Sequence, residues 1–118
     1  MTSGHGMLEN VILNAVWHTE TYVDNPISVS DIQDKINQLH KSKNWAYTTV
    51  KTVLDRLVDK GLIDRIKQGK KYLYKSVIQR EELGRQAIKK IAKQYYNNDI
   101  SLLLKAIEKI NYEEKLYV

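Results

Sequence analysis

The chain of 118 residues contains no cysteine. That excludes disulfides, a thiolate metal site and a thiol redox switch. Its three histidines, His5, His18 and His40, stand at no metal-ligand spacing to one another or to paired carboxylates. There is no phosphate-cradling glycine loop and no Gly-x-Ser-x-Gly turn. Glu81-Glu82 and Glu113-Glu114 read as exposed charge at helix ends. These gaps argue against an enzyme and against any cofactor or metal. Apolar runs fall well short of a membrane span, and no signal-peptide core appears. A cytoplasmic protein with no membrane partner is therefore expected. A chain of this length buries a modest core, not a catalytic cleft between lobes.

Positive charge is plentiful, and it is unevenly placed. The formal net charge is +5 and the pI about 9.3. Residues 1–40 carry one basic and five acidic side chains, residues 41–75 ten and three, and residues 76–118 eight and six. The middle block, at net +7, is an electrostatic footprint for phosphate.

Apolar periodicity predicts the elements around that block. Leu8, Val11, Ile12, Ala15 and Val16 give a first helix over roughly 8–19. A polar loop follows over 20–26, with the only proline, Pro26. Ile27-Ser28-Val29 suits a short strand. Ser30 is the expected N-cap of a second helix, roughly 31–41, with Asp31 and Asp34 in its first turn and Ile32, Ile36 and Leu39 as its buried stripe. Val50, Val53, Leu54, Leu57 and Val58 form the stripe of a third helix that stops at Gly61. Strands follow at roughly 62–67 and 71–76, turning at Gln68-Gly69-Lys70-Lys71. Helices over roughly 79–96 and 100–110 complete the chain, separated by Asn97-Asn98 and started by Asp99. Trp17 and Trp45 read as packing anchors, and Tyr72 and Tyr74, on one face of their strand, as core packing.

This order is mainly α with a small β-hairpin. It is the layout of a winged helix-turn-helix followed by C-terminal dimerisation helices. The expected domains are a flexible arm at 1–7, a winged-helix DNA-binding domain at 8–77 and a helical dimerisation segment at 78–118.

The third helix turns Tyr47, Thr48, Thr49, Lys51, Thr52 and Arg56 away from its apolar stripe. Threonines exchange hydrogen bonds with base edges and offer a methyl to thymine; an arginine forks onto guanine or phosphate. Asp55 would repel phosphate. It pairs with Lys51 one turn earlier, accepts from a cytosine amino group, or is lifted clear because the helix inserts by its N-terminal end; the last is favoured. Arg65, Lys67, Lys70 and Lys71 on the hairpin would meet the sugar–phosphate backbone. Ser28 and Ser30 sit where the second helix's N–H groups could hold a phosphate. In the C-terminal helices Leu83, Ile91, Tyr95, Leu103, Leu104 and Ile107 are the expected dimer contacts. Function therefore points to a sequence-specific regulator of double-stranded DNA. The alternative is a winged-helix protein-interaction module that never touches DNA.

The stretch Thr49–Ile63, Thr-Val-Lys-Thr-Val-Leu-Asp-Arg-Leu-Val-Asp-Lys-Gly-Leu-Ile, and the wing Lys67–Tyr74, Lys-Gln-Gly-Lys-Lys-Tyr-Leu-Tyr, resemble the penicillinase-repressor family. So does Leu8–Trp17, a first helix ending in tryptophan. That family includes β-lactamase, methicillin-resistance and copper-transport repressors. The resemblance implies a homodimeric repressor of a palindromic operator, with Thr48, Thr49, Lys51, Thr52 and Arg56 at recognition-helix positions. Resistance members are cut by a membrane-bound sensor protease at an Asn-Phe bond, and the corresponding pair here is Lys105-Ala106. The copper repressors carry a C-terminal cysteine motif that this chain lacks. The sensor protease, if this chain has one, is unknown.

Overall fold

The computed structural model describes residues 6–24, 26–41 and 44–116. The chain divides into two compact units, 1–80 and 81–118. The first holds α1 (Met7–Tyr22), β1 (Ile27–Ser28), α2 (Val29–Leu39), α3 (Tyr47–Asp59), β2 (Ile63–Gln68) and β3 (Lys71–Ser76). Residues 1–5 of the expected arm, with His5, lie outside the described residues; Gly6 is the N-cap of α1 and Met7 its first residue.

Three helices pack on one another and on a small antiparallel sheet of order β1-β3-β2. The core is the sum of their stripes: Ile12, Leu13, Ala15 and Val16 from α1, Ile32 and Ile36 from α2, and Val50, Val53, Leu54 and Leu57 from α3. Ile27, Ile63 and Tyr74 close it from the sheet. The short strand expected at 27–29 is present as β1, pairing Ile27 with Tyr74 and Ser28 with Leu73.

Local chemistry sets the ends of α3. Gly61 has φ +76°, a left-handed conformation that costs glycine least. The Leu62 N–H donates to the Leu57 carbonyl at 3.0 Å, and the Gly61 N–H to that of Val58 at 2.9 Å. This double closure is a Schellman motif, and it turns the buried Leu62 into the core. At the hairpin tip Gly69 has φ +64° while Lys70 has none of the positive φ, the pattern of a II′ turn. Its register pairs Arg65 with Tyr74 and Lys67 with Tyr72.

Several expectations need correction. The α2 cap is Ser28, not Ser30: its hydroxyl accepts from the Asp31 N–H at 3.1 Å, and the Asp31 carboxylate accepts from the Ser28 N–H. Ser28 has the extended backbone of a cap, whereas the helix already begins at Val29 and so takes Ser30 inside its first turn. Helix α1 continues to Tyr22. Glu20 accepts from the Ser76 N–H and hydroxyl, both at 2.7 Å, and these tertiary bonds hold a turn that the polar sequence alone leaves open. Leu39 is exposed, because it is the last residue of α2 and lies a turn beyond the core contacts of Ile36.

Trp17 is an anchor, as expected. Its indole N–H donates to the Ile78 carbonyl at 3.0 Å, and the Arg80 guanidinium covers its ring at 5.2 Å. Trp45 lies on the link between α2 and α3, where its backbone is clamped by Asn37 and Gln33 of α2. Ser42 and Lys43 of that link lie outside the described residues.

The second unit holds most of α4 (Arg80–Tyr95) and all of α5 (Ile100–Leu116). Asn97 and Asn98 both take positive φ, which asparagine tolerates better than most residues. The Asp99 carboxylate then accepts from the Ser101 N–H at 2.9 Å and starts α5. Helix α5 runs to Leu116 rather than 110, since Glu113, Glu114 and Lys115 are good helix formers and no breaker intervenes. Among the described residues no helix is long and apolar enough to cross a membrane.

Thr19 is buried in α1, and its hydroxyl has no hydrogen-bond partner among the described residues. Replacing that hydroxyl by a methyl keeps the shape and removes a desolvated donor. Thr19→Val is expected to raise stability by roughly 0.5–1 kcal/mol, read as a higher urea midpoint with an unchanged slope.

Candidate nucleic-acid interface

Helix α3 is amphipathic, so burying Val50, Val53, Leu54 and Leu57 forces its opposite face outward. Tyr47, Thr48, Thr52 and Arg56 are exposed on it, and Thr49 and Lys51 partly so. Thr48, Thr49, Thr52 and Arg56 line one open groove with Val53 and with Leu8 of α1. The Thr52 hydroxyl donates to the Thr48 carbonyl at 2.8 Å. Its oxygen is thereby left to accept, and its methyl remains available to an apolar contact. Ala46, the N-cap, supplies no side-chain bond, so the first N–H groups of α3 are not claimed by a cap.

The cations of the basic block fall into two groups. Arg56, Lys67, Lys70 and Lys71 are exposed and make no ion pair among the described residues. Lys70 lies in the hairpin turn, with Lys71 first in β3 and Lys67 one residue before the end of β2. Lys51, Lys60 and Arg65 are held. Lys60 reaches both oxygens of the buried Glu9 at 2.7 and 2.8 Å, tying α1 to the end of α3. A carboxylate buried beside its partner in this way is stabilising only while the pair is intact.

Lys51 and Arg65 meet at Asp55. Lys51 Nζ lies 2.9 Å from one carboxylate oxygen; Arg65 Nη1 lies 3.0 Å and the Tyr74 hydroxyl 2.8 Å from the other. Asp55 thus makes the pair with Lys51 and adds two partners from the hairpin. Burial pushes its carboxyl up, but the hydrogen bonds from Lys51, Tyr74 and Arg65 and the Lys51 charge outweigh burial and hold it below its ordinary 3.8. Burial, then the bond to Asp55 and its charge, push the Tyr74 phenol far above its usual range.

Tyr72 and Tyr74 share a strand face but not an environment. Tyr74 is fully buried, whereas Tyr72 is 36% exposed, which corrects the expectation that both pack in the core. Two residue pairs nearer the tip, the hairpin has left the three-helix core. The Tyr72 ring is instead covered by the Arg65 guanidinium at 4.8 Å and faced by Lys51 Nζ at 5.5 Å.

Ser28 and Ser30 stand at the start of α2. There the Asp31 carboxylate already occupies the helix N-terminus, and the Ser28 hydroxyl is engaged in the cap. In the second unit Ile91, Tyr95, Leu104 and Ile107 are exposed, Leu83 is half-buried and Leu103 is buried.

A family model described as penicillinase repressor matches residues 5–115. The chain belongs to the penicillinase repressor family. It is accordingly a winged-helix, DNA-binding transcriptional repressor by family, and such repressors are not enzymes. The methicillin resistance regulatory protein MecI of Staphylococcus aureus strain N315 is 27% identical over 99 residues, 83% of this chain and 74% of its own. MecI of Mammaliicoccus sciuri is 26% identical over the same shares. Among solved structures, the monomeric form of Bacillus licheniformis BlaI in complex with the blaP half-operator aligns with TM-score 0.47 and 21% identity, over 70% of this chain and 90% of that one.

The hub at Asp55 went unread in the sequence beyond Lys51. The spacing of four residues signals the Lys51 pair; nothing local signals Arg65 or Tyr74. A carboxyl held below its ordinary value stabilises the fold fully above that value, and the contribution is lost as pH falls through the depressed one. Acid unfolding should therefore draw on Asp55 only below about pH 4. Asp55→Asn is expected to cost roughly 1 kcal/mol at neutral pH, and less at pH 3, measured as the difference in urea midpoint.

Proposed function

We propose that the chain is a homodimeric repressor whose 8–77 domain reads one half of a palindromic operator and whose 78–118 segment makes the dimer. The observation that carries the reading is the outward face of α3, with an uncapped N-terminus and unpaired cations on the adjoining hairpin. Thr48, Thr49, Thr52 and Arg56 are the base-reading set, with Tyr47 at the helix start. Lys67, Lys70 and Lys71 meet the sugar–phosphate backbone, and Ser30 lies at its margin. Ser28 is given no contact, because its hydroxyl is spent on the cap beside a carboxylate. Arg56 forks onto guanine or phosphate; the Thr52 oxygen accepts from a base amino group.

The dimer reading rests on surface chemistry. Ile88, Ile91, Tyr95, Ile100, Leu104 and Ile107 of α4 and α5 are all exposed, and more apolar side chains follow at Ile110, Tyr112 and Leu116. A chain in water rarely leaves so many large apolar side chains of two helices uncovered. A second copy, offering the same face, covers it isologously. Two linked heads then raise each other's effective concentration on a palindrome. Lys105-Ala106 lies inside α5, not at a helix end where the backbone would open to a protease. With neither an Asn-Phe pair there nor a cysteine, release by that cleavage or by copper is not expected.

Selection of bound duplexes from a random pool tests the reading, with a palindromic consensus expected. Sedimentation at micromolar concentration should show a dimer, and Leu104→Asp should weaken the dimer and operator binding together; a monomeric wild type would refute the assembly. On the selected duplex Arg56→Ala and Thr52→Ala should each cost roughly 1–3 kcal/mol. Lys71→Ala should weaken binding to every sequence alike and lower the salt slope by about one. Binding that ignores salt would favour a protein-interaction module instead.

A further inference from the structure

Asp55 is an anion inside the most basic stretch of the chain. It sits at the seam of α3 and the hairpin, and its two cationic partners come one from each side. All parties except Tyr74 are reachable from solvent: Lys51, Arg65 and Asp55 have side chains 37%, 38% and 29% exposed. A half-exposed ion pair adds little to stability. It does change what an approaching phosphate meets. Arg56, Lys67, Lys70 and Lys71 are free to release counterions from DNA, whereas Lys51 and Arg65 share the one Asp55 charge and lie against Tyr72.

We propose that Asp55 is a specificity-determining residue: by pairing with Lys51 and Arg65 at the seam, it cancels one of their two charges and holds both side chains back from random-sequence phosphate, and so raises the ratio of operator to non-specific binding. Binding to random duplex is almost wholly electrostatic, so it loses most from a masked cation and a fixed negative charge. Operator binding also draws on base contacts from α3, which the mask leaves untouched. A protein that must find one site among many gains more from a low background than from a high total affinity. The inference rests on the assignment of α3 as the reading helix.

The test uses the full chain, an operator duplex selected from a random pool, and a random-sequence duplex of equal length, with affinities measured across a salt series. Asparagine at 55 still accepts from the Tyr74 hydroxyl, so Asp55→Asn removes the charge and keeps the seat of the hairpin; Asp55→Ser serves if that variant fails to fold. Asp55→Asn is expected to bind random duplex about three- to tenfold more tightly at low salt, with a salt slope steeper by about one to two. Operator affinity rises less, and the ratio falls. Adding Arg65→Gln to Asp55→Asn should take back about one of the added slope. Asp55→Glu, which keeps the charge, should restore the ratio toward wild type. Equal loss on both duplexes with an unchanged slope would overturn the proposal and leave Asp55 a structural residue. A slope that stays steep in the double variant would overturn it too, since the freed cation would not be its source. Wild type that binds neither duplex would overturn the DNA reading itself.

Discussion

Burial of one stripe of α3 is the constraint on which the rest depends. Val50, Val53, Leu54 and Leu57 occupy the centre of the three-helix core, against α1 and α2. A helix with one side locked in this way has no freedom about its own axis. Thr48, Thr52 and Arg56 are exposed for that reason and no other. The same burial places the Gly61 turn, since Leu62 must return to the core, and so sets where the hairpin begins. The core stripe and the outward threonine and arginine face therefore belong to opposite sides of one helix.

Charge in this domain is sorted rather than merely abundant. Of the cations around α3 and the hairpin, Lys60 is spent on Glu9, and Lys51 and Arg65 on Asp55. The hairpin tip and Arg56 keep their charge exposed. Net charge over a segment describes long-range attraction well, because fields add. It does not say which side chains can leave their partners for a phosphate. The two statements differ here by three cations.

The C-terminal unit shows the opposite imbalance. Its helices have few buried side chains of their own, Ala92 and Leu103 among the described residues, and expose a row of isoleucines, leucines and tyrosines. Leu103 was expected with the dimer contacts but is covered within the single chain. A period of 3.6 places Leu103, Leu104 and Ile107 near one another without distinguishing which is covered within the chain.

Much of this fold was legible from one dimension. Helical periodicity, the stops at Gly61 and Asn97-Asn98, the turn at Gly69-Lys70 and the +7 block all concern neighbours along the chain. So does the outward threonine face of α3, because amphipathicity is a local pattern. What the tertiary structure decided is who meets whom. Glu9 finds Lys60 across 51 positions, Glu20 finds Ser76 across 56, and Asp55 finds Arg65 and Tyr74 on a hairpin that first has to fold back. The fates of Tyr72 and Tyr74, alike in sequence and on one strand face, were settled by how far the core reaches along the hairpin. Local patterns report a repeat in angle, whereas pairing and burial depend on distances through space after the chain has reversed.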